Sequence, residues 1–191
     1  MKKKINLPNK ITIFRMIVVL AILVLALLPE GKYFGNDIFY HDYRSITILF
    51  LFIIGSISDF LDGYLARKHN LVTTFGKFMD PIADKLLVNT LFIVLTGFGC
   101  MPWIITVIMI SRDIVVDAIR LIVIERGKVI AASKLGKLKT VTQMIALIMI
   151  IAFPGVSWFV AFAYVAAVAS LVSGVDYFLK NKDVLLSDLR G

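Results

Sequence analysis

Two pairs of aspartates interrupt an apolar chain: Asp59 and Asp62, three residues apart, then Asp80 and Asp84, four apart. On a helix, spacings of three and four put side chains on one face. At 100° per residue, Asp59, Asp62, Gly63 and Ala66 fall within about 100° of one another, and Asp80 and Asp84 form a second stripe. The connection between the two segments is short, so the stripes can face each other. Four converging carboxylates without enough nearby cations repel strongly. One or two bound divalent metal ions resolve this, since hard cations take oxygen ligands. The competing reading is a wet loop, or helix ends where Asp59 and Asp62 pair with Arg67 and Gly63 is only a packing contact. It accounts for one aspartate better than for four at this spacing. Gly63 and Ala66 let a ligand or a neighbouring helix approach closely. Arg67, at the boundary, can pair with a phosphate.

The elements that must position these residues are membrane helices. The chain has 191 residues, 59% of them hydrophobic, and a mean hydropathy of +0.89, too apolar for an ordinary soluble domain. Apolar segments run over roughly 11–28, 46–66, 82–98, 102–124, 140–153 and 156–179, most of them long enough to cross about 30 Å of hydrocarbon. Pro29 with Gly31, Gly97 to Pro102, and Pro154-Gly155 punctuate them. With no repeat or low-complexity linker, a single all-α membrane domain over 1–191 with six spans is expected.

Net charge is +8, and topology explains it better than nucleic acid, which is not expected as a partner. With the N-terminus inside, all of the 21 basic residues except Lys32, Arg44, Arg112 and Arg120 fall on the cytoplasmic side. That asymmetry calls for an even number of spans with both termini cytoplasmic, in a multi-pass protein of the cell membrane. Met1 to Leu7 reads as a short basic amphipathic segment on the anionic inner leaflet. It is not a cleaved leader, because Asn9, Lys10, Thr12 and Arg15 intrude on the apolar run. Cys100 is the sole cysteine, which excludes a disulfide framework and a cysteine-rich metal site.

Seven of the 13 acidic residues, Asp59, Asp62, Asp80, Asp84, Asp113, Asp117 and Asp176, lie in or beside apolar segments. Ionisable groups there mark a functional site by default. In the fourth segment Asp113, Asp117 and Arg120 share a face, with Arg112 beside it. The loop before the fifth adds Lys134, Lys137 and Lys139. A cationic pocket near the metals suits an anionic, phosphorylated acceptor. The plainer readings are positive-inside topology for the lysines and ion pairing with Asp113 and Asp117 for the arginines. Asp176 is expected to pair locally.

The stretch Asp59-Phe-Leu-Asp62-Gly63-Tyr-Leu-Ala66-Arg67, eight further residues, then Gly76-Lys-Phe-Met-Asp80-Pro-Ile-Ala-Asp84 resembles the CDP-alcohol phosphotransferase signature D-x2-D-G-x2-A-R-x8-G-x3-D-x3-D at every specified position. The resemblance implies transfer of a phosphatidyl group from CDP-diacylglycerol to an alcohol, with release of CMP. It implies two divalent ions, Mg²⁺ or Mn²⁺, on Asp59, Asp62, Asp80 and Asp84, with Asp84 also the general base. Gly63, Ala66, Arg67 and Gly76 would contact the CDP-lipid, with Asn9 and Thr12 helping to hold the cytidine. A homodimer, embedded in membrane lipids with a cytoplasm-facing site, is implied too. NLPNKITIFR, Ser111-Arg112-Asp113 and SKLGKLKT are similar to the phosphatidylglycerophosphate synthase branch. There the acceptor is sn-glycerol 3-phosphate, whose phosphate Arg112, Arg120, Lys134 and Lys137 would bind. The alternatives are another acceptor in the same family, as in cardiolipin, phosphatidylinositol phosphate or phosphatidylserine synthesis, or a metal or proton transporter.

Overall fold

The computed structural model describes residues 6–28, 43–68, 73–126, 134–153 and 156–189. These form six helices and no strand: α1 (Leu7–Leu27), α2 (Tyr43–Lys68), α3 (Thr74–Gly97), α4 (Trp103–Glu125), α5 (Lys134–Ala152) and α6 (Ser157–Leu189). Each expected apolar segment has its helix. The expected amphipathic start before Asn6, the positions of His41 and His69, and the Pro29–Gly31 and Pro154-Gly155 breaks lie outside the described residues.

Four helices are long and apolar enough to cross a membrane, over Leu7–Leu27, Arg44–Leu65, Leu135–Ala152 and Trp158–Leu186. In the other two, charges fall within the apolar run. Asp80, Asp84 and Lys85 interrupt α3, and Arg112, Asp113, Asp117 and Arg120 interrupt α4. The helices also run past the apolar segments. α3 begins at Thr74 and α2 continues to Lys68, so both aspartate pairs are helical. α6 has 33 residues, about 50 Å at 1.5 Å per residue, longer than a hydrocarbon core. Its extension past residue 179 still packs, because Val184 joins a buried cluster.

The chain divides into two units. In the first, α1 packs against both α2 and α3, while α2 and α3 touch each other far less. Pro8 stands in the first turn of α1, where a missing N–H costs nothing. Val18, Ile22, Phe52, Leu87 and Leu91 are among the buried core residues. Gly55 of α2 permits the close approach: a Cβ there would stand 2.7 Å from Leu87 Cδ2 and 3.6 Å from Val18 Cγ1. Pro81 lies inside α3, so the helical hydrogen bond to the Lys77 carbonyl is missing one residue after Asp80.

In the second unit α4 packs on α6, with Val116, Ile119, Val123, Tyr177 and Val184 as an apolar cluster. Gly99, at φ +71°, takes the left-handed conformation that glycine adopts without strain in the connection leading to α4. Burial pushes the Cys100 thiol up to about 11, which keeps it protonated at neutral pH. Asp176 pairs with Lys180 one turn on, at 2.7 Å.

Candidate active site

The first turns of α1 hold the aspartates in place. Arg15 is fully buried and forks between the two α2 carboxylates, with Nη1 donating to Asp59 Oδ1 and Nη2 to Asp62 Oδ2, each at 2.6 Å. Asp62 is 2% exposed and Asp59 39% exposed, so the pair has a buried side and an open side. One turn earlier on the same face, the Thr12 hydroxyl donates to Asp80 Oδ1 of α3 at 2.6 Å, with the Pro8 carbonyl at 3.2 Å. Asp62 is within electrostatic reach of Asp80 as well as of Asp59 and Arg15. The two aspartate stripes therefore come together across α1, rather than by direct α2–α3 packing.

The start of α3 is fastened to the start of α1. The Thr73 hydroxyl accepts from the Gly76 N–H at 3.0 Å, capping α3, and donates to Asn9 Oδ1 at 2.8 Å. A Cβ on Gly76 would stand 3.3 Å from Asn9 Oδ1 and from Thr73 Oγ1, and 3.5 Å from Asp80 Oδ2. Gly76 thus leaves open a polar cradle beside Asp80. Asn9, Thr12, Asp59, Asp62, Gly76 and Asp80 are brought together. Gly63 follows Asp62 on α2. Asp84 is half-buried one turn beyond Asp80 and makes interactions of its own. For Ala66, Arg67 and Lys134 the side chains lie outside the described residues.

Among the described residues, no three acidic, histidine or cysteine side chains close around one point as a metal shell does. The donor chemistry nevertheless fits Mg²⁺ or Mn²⁺, since it is all carboxylate oxygen. Asp59, Asp62 and Asp80 carry three negative charges against the one of Arg15, an excess that a divalent ion offsets.

In the second unit Asp113 is buried between two cations. Arg112 Nη1 donates to Asp113 Oδ1 at 3.1 Å and Lys139 Nζ donates to the same oxygen at 2.8 Å. Arg112 Nη2 also donates to Ser173 Oγ at 2.8 Å. Gly174 makes room for this arginine, since a Cβ there would stand 3.1 Å from Arg112 Cγ. Arg112 Nε, Gln143 Nε2, Ser170 Oγ and Tyr177 Oη are buried in this unit with no partner among the described residues. Arg120 and Lys137 are exposed and outside this cluster.

Sequence reasoning missed Arg15 and Thr73. Arg15 carries a readable signal: a permanent charge inside an apolar helix needs a partner as much as an aspartate does. It lies three residues after Thr12, on the same face. Lys139, grouped with Lys134 and Lys137 in the expected cationic pocket but left out of the phosphate-binding set, is 8% exposed.

Residues 5–173 match the family model for CDP-alcohol phosphatidyltransferase. The chain is 40% identical over 193 aligned residues to the CDP-diacylglycerol–glycerol-3-phosphate 3-phosphatidyltransferase of Bacillus subtilis (strain 168), covering 94% of this chain and 97% of that one. It is 36% identical to the protein of the same name in Rickettsia typhi (strain ATCC VR-144 / Wilmington), with 91% and 95% covered. It is 37% identical to a probable phosphatidylglycerophosphate synthase of Mycobacterium tuberculosis (strain ATCC 25618 / H37Rv), with 90% and 79% covered. The match extends from the helix that carries Arg15 into the helix that carries Ser173, and with it the chain belongs to the CDP-alcohol phosphatidyltransferase family.

Proposed function

We propose that this protein is a phosphatidylglycerophosphate synthase that transfers the phosphatidyl group of CDP-diacylglycerol to sn-glycerol 3-phosphate. The observation that carries this reading is the gathering of Asp59, Asp62 and Asp80 around α1, within a signature complete at every position. The names of the relatives support the acceptor. Asp59, Asp62, Asp80 and Asp84 would hold two divalent ions, Mg²⁺ or Mn²⁺. When bound, these neutralise the pyrophosphate and stabilise the departing CMP. Asn9, Thr12, Gly63, Ala66, Arg67 and Gly76 contact the CDP-lipid.

Asp84 accepts the proton of the attacking hydroxyl. That oxygen then bonds to the phosphatidyl phosphorus, and the bond from phosphorus to the CMP oxygen breaks. Arg112, Arg120, Lys134 and Lys137 bind the acceptor phosphate. The two cations Arg112 and Lys139, with buried donors nearby that have no partner among the described residues, support an anionic acceptor. The positive-inside asymmetry supports six spans in the cell membrane, with both termini and the site cytoplasmic. The functional domain is 1–191, and the working assembly a homodimer.

Purified protein, given CDP-diacylglycerol and Mg²⁺ or Mn²⁺, is expected to release CMP only when an acceptor is added. Among glycerol 3-phosphate, inositol phosphate, serine and phosphatidylglycerol, glycerol 3-phosphate is expected to be the one that works. CMP release with another acceptor and none with glycerol 3-phosphate replaces the acceptor assignment.

The hydroxyl of Thr12 has its own expected effect. Thr12→Val keeps the shape but removes the donor to Asp80. A hydrogen bond to a charged group contributes about 1.5–3 kcal/mol, so CMP release should fall about 10- to 100-fold. Helix content by circular dichroism should stay unchanged. An unaltered rate would show that Asp80 does not need this hydroxyl.

A further inference from the structure

Arg15 occupies the position where a cation is needed. Its guanidinium is permanently charged and 0% exposed, so it cannot turn to water. It takes one oxygen from each α2 carboxylate, Asp59 Oδ1 and Asp62 Oδ2, and leaves Asp59 Oδ2 and Asp62 Oδ1 unused by the fork. Its own Nε is buried with no partner among the described residues, so the carboxylates are its anchoring contacts there. Without this charge, Asp62 would be a buried carboxylate beside Asp59 and Asp80 with no counter-charge from α1.

We infer that Arg15 is the built-in counter-ion of the aspartate site: it keeps Asp59 and Asp62 assembled when no divalent ion is bound, and it weakens the hold of the site on such an ion. This rests on the reading that the aspartates hold divalent metal, and concerns what that reading leaves open, namely how the empty site stays together. Two consequences have opposite signs. Removing the charge destabilises the metal-free protein, because buried like charges lose their partner. It also tightens metal binding, because a fixed positive charge no longer opposes the incoming cation. A purely structural role for Arg15 gives the first effect without the second.

The test uses the full-length protein in lipid nanodiscs. Mn²⁺ binding is read from the electron paramagnetic resonance signal of free Mn²⁺, and melting is followed with EDTA and with saturating Mn²⁺. Asp80→Asn identifies the site by weakening Mn²⁺ binding. Arg15→Met is expected to melt lower than wild type in EDTA and to gain more from Mn²⁺. Its Mn²⁺ dissociation constant is expected to fall about tenfold, as loss of one nearby positive charge dictates. Arg15→Gln keeps a hydrogen-bond donor, should give the same tightening, and carries the test if Arg15→Met does not fold. An equal or weaker affinity in the neutral variants, while wild type binds Mn²⁺ at the Asp80 site, overturns the counter-ion role alone. Absence of saturable Mn²⁺ binding in wild type overturns the metal reading and this inference together.

Discussion

Asp84→Asn is expected to lower CMP release by a factor of about 10² to 10⁴, the range a positioned general base contributes. The substitution keeps the size and polarity of the side chain but removes its capacity to take a proton. Asp84 is one helical turn beyond Asp80 and half-buried. The carboxylates gathered by Arg15 and Thr12 belong to Asp59, Asp62 and Asp80, and the variant leaves all three intact. Equilibrium binding of CDP-diacylglycerol should therefore hold near the wild-type value while turnover collapses. The check is to measure both on one preparation, with donor and acceptor saturating in the rate assay. Near-normal turnover removes Asp84 from the proton-transfer role. An equal loss of binding and rate makes it a ligand only.

The largest stability effect is expected at Asp113→Ala. The carboxylate is 5% exposed and receives both Arg112 and Lys139, the latter 8% exposed. Its removal takes the shared carboxylate away from both cations. Breaking a buried pair from one side costs about 3–5 kcal/mol, which for a chain of this size lowers the melting temperature by roughly 6–20 °C. Lys139→Met should cost less, because Arg112 and Asp113 still balance each other. The double variant Asp113→Ala/Lys139→Met should recover part of the loss, since one of the two cations is then gone and Arg112 keeps its bond to Ser173. Melting of the three variants in one detergent gives the coupling directly. Additive losses, with no recovery, would show that Asp113 does not serve as the shared counter-charge.

The comparison of sequence with structure is instructive at these sites. The aspartate stripes were legible because helical periodicity is local: three or four residues fix a face wherever the helix ends up. The pairing between α2 and α3 was read as direct. In the fold it runs through Arg15 and Thr12 of α1, across sequence separations of 44, 47 and 68 residues. No local pattern carries such information. The excess of negative charge is smaller than the aspartates alone imply, because Arg15, which the charge asymmetry assigns to topology, lies between two of them. Lys139 is buried two residues from the exposed Lys137. A basic residue counted as positive-inside is still available to pair. Arg112 forms the ion pair with Asp113 that is the plainer reading of its charge, and its Nε has no partner among the described residues.

The place of α1 between α2 and α3 also bears on the order in which the protein is made. During synthesis α1 emerges before α2 and α3, bearing Arg15 with Asn9, Lys10 and Thr12 in its first half. An arginine at the centre of a membrane helix carries an insertion penalty of about 2.5–3.5 kcal/mol, which its long stem reduces by reaching toward the headgroups. The carboxylates that neutralise it arrive near the end of α2, and the acceptor of the Thr12 hydroxyl arrives with α3. The polar face of α1 is therefore made before the carboxylates that meet it. In that sense α1 is the template of the first unit: the ribosome lays down the clamp before the residues it is to hold.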